Sequence, residues 1–305
     1  MPGPAWTEVR VSAPRGWQEL VASALAEEGC PAALFGALSL AEADPGPGRT
    51  WVRGYLSEGE DRPQRRERLR RALAELAERA GAGELRGLEP LFRVLPHEDF
   101  ASSWRKDFKP LRVGRLAIVP PDWPGRLRAG DVRLLFEPGG AFGTGRHATT
   151  RACLRHLQER LAPGERVLDA GCGSGILAAA ALALGAGTAL AFDVDPNALP
   201  YARALLEANG FAARCELRLG SFEVVNPSER FDGLLANLDS STIRSHARDL
   251  AASLAPGGWF VCSGCTRANR EATLAALASA GLAVERIDLR GRWDAYAGRR
   301  TEYAF

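Results

Sequence analysis

"VLDAGCGSGILAAAALALGA", Val167 to Ala186, decides the fold. An apolar run ends at Asp169 and glycines follow at 171, 173 and 175. A stretch of alanine and leucine then continues to Gly185. The pattern is a buried strand, a tight turn and a buried helix. Glycine lets the backbone turn sharply and approach a ligand closely. In a doubly wound sheet, the turn after the first strand lies at the strand's carboxyl end, where ligands bind. A dinucleotide fingerprint, G-x-G-x-x-G, requires its third glycine where this chain has Ile176.

Downstream, "TALAFDV", "RCELRLG", "FDGLLAN" and "GGWFVCSG" read as further strands, each separated from the next by a helix-length segment. Apolar strands alternating with helices indicate a parallel sheet covered on both faces. Upstream, "GRLAIVPP" and "DVRLLFEP" read as two more strands, and "TTRACLRHLQERL" as a helix. The first 95 residues have a different rhythm. "TEVRVSA", "AALFGALSL", "TWVRGYLS" and "EPLFRVLP" read as strands, and "GWQELVASALAEEG" and "RPQRRERLRRALAELAERAG" as helices. The order β-α-β-β-α-β is that of a ferredoxin-like α+β sandwich. The expected organisation is a ferredoxin-like domain over 1–95, a linker helix over 96–110, and a Rossmann-like α/β domain over 111–305.

Composition narrows the function classes. The 39 basic and 37 acidic residues of the 305 nearly cancel, so bulk charge points to neither a DNA-binding nor a membrane-surface protein. Arginines from Arg62 to Arg71 crowd one helix, but glutamates at 67, 75 and 78 are mixed in, as on a solvated face. The opening "MPGPAWTEVR" lacks a basic head before an apolar run, so no signal peptide is expected. Glycines 185 and 187 break the most apolar stretch, and a cytoplasmic protein is expected. Of six cysteines, only Cys262 and Cys265 in "CSGC" have ligand spacing. No second such pair exists, so the reading is a strand end with small buried residues and no metal.

The chemistry follows the glycine turn. D-x-G-x-G-x-G is the pattern of methyltransferases that use S-adenosylmethionine, with the loop packed on the cofactor's amino-acid end and sugar. Asp193 ends the second strand, where a carboxylate can accept both ribose hydroxyls. Asp195, two places on, reads as the N-cap of a helix opening at Pro196. Ser221 and Phe222, after the third strand, fall where adenine lies; core packing is the other reading of Phe222. Asn237 ends the fourth strand, where its amide oxygen can accept from a substrate N–H and orient the nitrogen lone pair; it can equally be a turn former. "EPGGAFGTGRHATT", Glu137 to Thr150, precedes the first cofactor strand by one helix. Phe142 can cover apolar parts of the cofactor, Gly143 and Gly145 permit close approach, and Thr150 supplies a hydroxyl. His147 is either a base or, on the reading preferred here, a hydrogen-bonding prop for the loop.

Together "FEPGGAFGTGRHATT", "VLDAGCGSGILAAAALALGA", "FDVDPNAL", "LGSFE" and "LLANLD" resemble the bacterial ribosomal protein L11 lysine methyltransferase family. "EDFASSWRKDFKPLRVG" and "RGRWDAYAGRR" extend the resemblance over nearly the full length. It implies an N-terminal domain that recognises the ribosomal protein and a catalytic domain that trimethylates lysine side chains and the N-terminal amine. By motif position Thr150, Gly171, Asp193 and Asn237 are the implied cofactor contacts. The full expected cofactor set is Phe142, Gly143, Thr150, Gly171, Gly173, Gly175, Asp193, Ser221, Phe222 and Asn237, with Asn237 also the catalytic residue. The expected partner is the ribosomal protein, with no DNA and no membrane, and the expected state is a monomer. Asp239 stands where family members often have an apolar or aromatic residue. It reads as the N-cap of the helix that follows. Two other readings stay open: methylation of another protein or a small amine, and a cofactor-binding regulatory or RNA-associated factor.

Overall fold

A computed structural model describes residues 6–30, 32–35, 44–57, 59–95, 110–136, 145, 147–290 and 293–301. The chain divides into two compact units, Met1–Lys109 and Pro110–Phe305.

The first unit runs β1 (Trp6–Pro14), α1 (Gln18–Glu27), β2 (Ala32–Phe35), β3 (Arg49–Ser57), α2 (Pro63–Ala80) and β4 (Pro90–Leu95). Its antiparallel sheet has the order β2-β3-β1-β4, the ferredoxin-like arrangement. Alternation along β1 sends Val9, Val11 and Ala13 to the helix-covered face, where they meet Val21, Leu25, Leu69 and Leu73 in one core. α2 opens on Pro63, whose missing N–H is no loss at the first helical position. It closes on Gly81 in the left-handed region, φ 61°, with its N–H bonded to Ala77 and Glu78 carbonyls. Beyond Phe35, the stretch "GALSL" lies outside the described residues, as does the expected linker helix before Pro110.

The second unit begins with a small sheet, β5 (Leu111–Val113), β6 (Leu116–Val119) and β7 (Val132–Leu135). β5 and β6 pair antiparallel, β6 and β7 parallel. There follow α3 (Ala148–Arg160), β8 (Arg166–Ala170), α4 (Ile176–Ala183), β9 (Thr188–Asp193), α5 (Ala198–Ala208), β10 (Cys215–Leu219) and β11 (Phe231–Asn237). The short α6 (Ser240–Ser245) and α7 (Ala247–Ser253) lead to β12 (Leu254–Thr266), α8 (Arg270–Ser279), β13 (Leu282–Arg290) and β14 (Trp293–Arg300). The large sheet has the order β10-β9-β8-β11-β12-β14-β13. β10, β9, β8, β11 and β12 pair parallel. The chain order reverses between β8 and β11, so the crevice outside their carboxyl ends is the topological switch point. Leu168, Leu190, Leu234, Phe260 and Tyr296 lie in its buried core.

Two departures from the sequence reading are instructive. The sheet is mixed rather than parallel, because β14 inserts antiparallel between β12 and β13. "LAVERIDLR" alternates charge with apolar residues, the pattern of an edge strand, so a search for apolar runs passes over it. The helix after Asp195 starts at Ala198 rather than Pro196. Asp195 Oδ1 nonetheless accepts from the Asn197 N–H at 2.9 Å, closing the turn that leads in. Among the described residues no helix is long and apolar enough to cross a membrane.

Candidate active site

The glycine turn sits at the switch point. Ala170, the last residue of β8, lies opposite Phe192 of β9 on one side and Ala236 of β11 on the other. Gly171 and Cys172 both donate backbone N–H groups to the Phe192 carbonyl at 2.9 Å. Gly171, Gly173 and Gly175 have φ of 69°, 52° and 76°, the region any side chain disfavours. A Cβ on Gly171 would lie 2.4 Å from Leu238 Cδ2, and one on Gly175 2.9 Å from Ala202 Cβ of α5. At Gly175, where the neighbours are Ala202 Cβ and Cα, packing within the protein requires glycine beyond any ligand approach, whereas at Gly171 the Leu238 side chain could yield and the positive φ is the stronger reason.

Asp193 ties this turn to the next strand. Its Oδ2 accepts from Gly173 N–H at 2.7 Å and its Oδ1 from Asp195 N–H at 2.9 Å. Each carboxylate oxygen can accept twice, so capacity remains for a pair of hydroxyls. The Asp193 carbonyl accepts from Gly220 N–H at 2.9 Å, which brings Ser221 alongside. Ser221 N–H is bonded to Glu223 Oε1 at 2.7 Å. Phe222 is buried, edge-on to Phe192 and stacked on His246, both at 5.0 Å between centroids. Its ring is thus enclosed by protein on two sides. Val194 and Leu219 stand at this mouth, 69% and 53% exposed. The sequence reading omitted both; an apolar residue between two acids in "DVDP" is the signal that could have found Val194.

On the other side of the turn, Asn237 and Thr150 meet. Asn237 Nδ2 donates to Thr150 Oγ1 at 3.2 Å, across 87 residues of sequence. The amide keeps Oδ1 as an acceptor. Thr150 is buried in the first turn of α3, whose N-cap is His147. His147 Nδ1 lies 2.6 Å from Thr149 Oγ1 and accepts from Thr149 N–H. Burial pushes its pKa down to about 4, so the imidazole is neutral and serves as a prop. The Trp293 ring stands edge-on to it at 5.3 Å, a neighbour the sequence did not announce. Gly145, with φ of 75°, packs so closely that a Cβ would lie 2.8 Å from Ile176 Cδ1. Phe142 and Gly143 lie outside the described residues. Asp239 caps α6, accepting N–H groups from Ser241 and Thr242. Burial opposes its ionisation, but the hydrogen bonds from Ser241 and Thr242 outweigh it and hold the pKa below its ordinary value.

Beneath the turn, Asp169 is 1% exposed. Oδ2 accepts from Ala178 N–H at 2.9 Å, while Oδ1 has no hydrogen-bond partner among the described residues. Burial pushes its pKa up to about 7, against the Ala178 bond and with help from Asp193. A buried orphan carboxylate oxygen under a glycine cradle suits a ligand carrying positive charge. Cys262 and Cys265 lie inside β12. Both are buried, and burial raises both thiols, that of Cys265 to about 12. Gly264 between them has φ of 92°, and a Cβ there would lie 2.3 Å from the Leu238 carbonyl oxygen. "CSGC" thus forms a strand irregularity that lets the Asn237–Leu238 segment pass close by.

A family model described as "Ribosomal protein L11 methyltransferase (PrmA)" matches residues 5–301. The chain belongs to the ribosomal protein L11 methyltransferase family. A relative of that name from Pelotomaculum thermopropionicum is 37% identical, over 96% of this chain and 98% of its own. One from Chloroflexus aurantiacus is 33% identical over 98% and 99%. The crystal structure of a ribosomal protein L11 methylase from Lactobacillus delbrueckii subsp. bulgaricus covers 64% of this chain and 100% of its own, with TM-score 0.58 and 28% identity.

Proposed function

We infer that this protein transfers methyl groups from S-adenosylmethionine to ribosomal protein L11, on lysine side chains and the N-terminal amine. The observation that carries the reading is the Asn237–Thr150 bond beside the glycine turn, in a chain matched by the family model from residue 5 to 301. When bound, the cofactor supplies a methyl group activated on a sulfonium. The residues suited to hold it are Gly171, Gly173 and Gly175 by close backbone approach, and Asp193 by its remaining acceptor sites. Val194 and Leu219 offer apolar flanks of the kind a purine covers.

A lysine amine has a pKa near 10.4 and is mostly protonated at neutral pH. Only its neutral form has the lone pair that attacks. An apolar, partly enclosed site beside a positive charge lowers that pKa. Asn237, held by Thr150 through Nδ2, presents Oδ1 to an amine N–H and so aims the lone pair. An amide holds no proton and lets the amine rotate, which successive methylations require. Residues 6–95 carry none of these groups, and we assign them to recognition of the target. On that assignment the protein works as a monomer in the cytoplasm, where ribosomal proteins are made.

The test is incubation of the full chain with methyl-labelled S-adenosylmethionine and total ribosomal protein. A single labelled band at L11 is expected; label elsewhere, or none, overturns the assignment. Cross-linking of the complex followed by mass spectrometry should place most links to L11 within residues 6–95. Links confined to 110–305 would remove the recognition role from the first unit.

A further inference from the structure

One arginine at the carboxyl end of the sheet stands without an anion. Arg244 lies in α6, the short helix that opens just after Asn237 and its cap Asp239. Earlier in the same helix, Ser240 Oγ accepts from Thr266 N–H at 3.2 Å, which holds α6 against the end of β12. Residues four apart share a helix face, and a helical side chain leans over the turn before its own. The partly exposed Arg244 side chain accordingly faces Cys265, close enough to favour its thiolate, while Asp294 and Asp239 are close enough to oppose it. Both carboxylates are engaged elsewhere. Asp239 accepts from the N–H groups and hydroxyls of Ser241 and Thr242. Asp294 accepts from Arg270 Nε at 2.8 Å and Nη2 at 2.9 Å, and from the Tyr296 hydroxyl at 3.3 Å. Arg244 Nη1 is enclosed, yet among the described residues it has no hydrogen-bond partner. A charged donor enclosed without a partner costs free energy that an incoming acceptor recovers. Arg270 shows the same group with its carboxylate supplied from within the protein.

We propose that Arg244 is a docking cation for the polypeptide substrate, taking a carboxylate that the target carries beside the amine being methylated. The inference rests on the protein-methylation reading. A guanidinium presents parallel N–H donors that match a carboxylate, and carboxylates are the anions of an unmodified polypeptide. The cofactor has a carboxylate as well. The glycine turn and Asp193, however, belong to β8 and β9, whereas Ser240 ties α6 to β12, on the other side of β11 in the sheet order. That separation favours the substrate as the source. The pair sets specificity as well as affinity: an amine with a carboxylate neighbour is drawn in, and one flanked by cations is turned away.

Steady-state kinetics of the full chain on L11 reads the pair. Arg244→Gln should raise KM for L11 about tenfold, the scale of a charge-assisted bond, with kcat and Kd for S-adenosylmethionine within about twofold. Arg244→Lys, which keeps the charge and loses the fork, should fall between. Added salt should raise the native KM and narrow its distance from Arg244→Gln. The melting temperature of Arg244→Gln should hold, because the change removes an unpaired donor. Weaker S-adenosylmethionine binding with an unchanged KM for L11 assigns the arginine to the cofactor's carboxylate and overturns the proposal. A raised KM accompanied by a large loss of kcat and melting temperature marks a structural role and overturns it too. If Arg244→Gln fails to fold, the native chain still answers: L11 with its carboxyls amidated should show a similar tenfold rise in KM, and an unchanged KM overturns the proposal. A native chain that methylates no L11 overturns the protein-methylation reading and this inference with it. Native turnover with KM unchanged in Arg244→Gln overturns this inference alone.

Discussion

The two ends of the parallel strands treat their carboxylates in opposite ways. Just before the amino end of β11, Glu229 bonds Arg166 at the start of β8 through Oε1 at 2.6 Å, and Arg218, reaching back from β10, through Oε2 at 2.7 Å. The Arg166 guanidinium also lies 4.4 Å from the centroid of the Phe231 ring. The bond from Arg218, then that from Arg166, outweigh burial and hold Glu229 down to about 2. At the carboxyl ends no cation among the described residues pairs with Asp169, and burial lifts it to about 7. The amino end is closed by charges that satisfy one another, which is what stability asks for. The carboxyl end keeps a carboxyl group that no cation among the described residues pairs with, which is what a ligand site asks for.

The sharpest way to break the contrast is Asn237→Ala. If the carboxyl end is a site, turnover should fall about 100-fold, the scale of losing orientation, while the melting temperature barely moves. A large loss of stability instead would make Asn237 one more packing residue. Asp193→Ala should weaken S-adenosylmethionine binding by about 1.5–3 kcal/mol in calorimetry; tight binding retained would show that the ribose is held elsewhere.

The two carboxylates give opposite pH signatures. Glu229 is depressed on folding, so its stabilisation is present above its unfolded pKa of about 4.3 and is lost as pH falls through about 2. Glu229→Gln should cost about 1–2 kcal/mol at pH 7 in denaturant unfolding, with the difference closing toward pH 2. Asp169 is raised, so its protonated form favours folding below about pH 4 and the advantage is lost as pH rises through about 7. Ligand-free Asp169→Asn should gain about 1 kcal/mol at pH 8 relative to the native chain and nothing at pH 4. A gain independent of pH would refute the charge explanation. The smallest effect expected is at Asp239→Asn, which keeps the cap and should leave turnover and its pH profile within about twofold; a shifted profile would place that carboxylate in the substrate site.

The central strands were legible because each is buried on both faces and so reads as an apolar run ending in a polar residue: Asp169, Asp193 and Asn237 mark three such ends. β13 and β14 were not, since "LAVERIDLR" and "WDAYAGRR" owe their strand state to pairing with each other and with β12. Within the site, Asp193 and Asn237 could be found by position after a strand. The meeting of Asn237 with Thr150 could not, because a contact across 87 residues has no local signal. Nor does a one-dimensional pattern distinguish Asp169, without a countercharge among the described residues, from Glu229, which has two, because the difference is one of neighbours.

The insertion of β14 between β12 and β13 also bears on how the protein is made. The strands of the first unit are complete by Leu95, so that unit can assemble early in synthesis, as leading domains do. The large sheet cannot close until Trp293–Arg300 has emerged, because that strand lies inside the sheet and follows its neighbours β12 and β13 in the chain. Until then β12 presents an open edge to other chains. Loss of Trp293–Arg300 would remove the middle of a sheet rather than its margin.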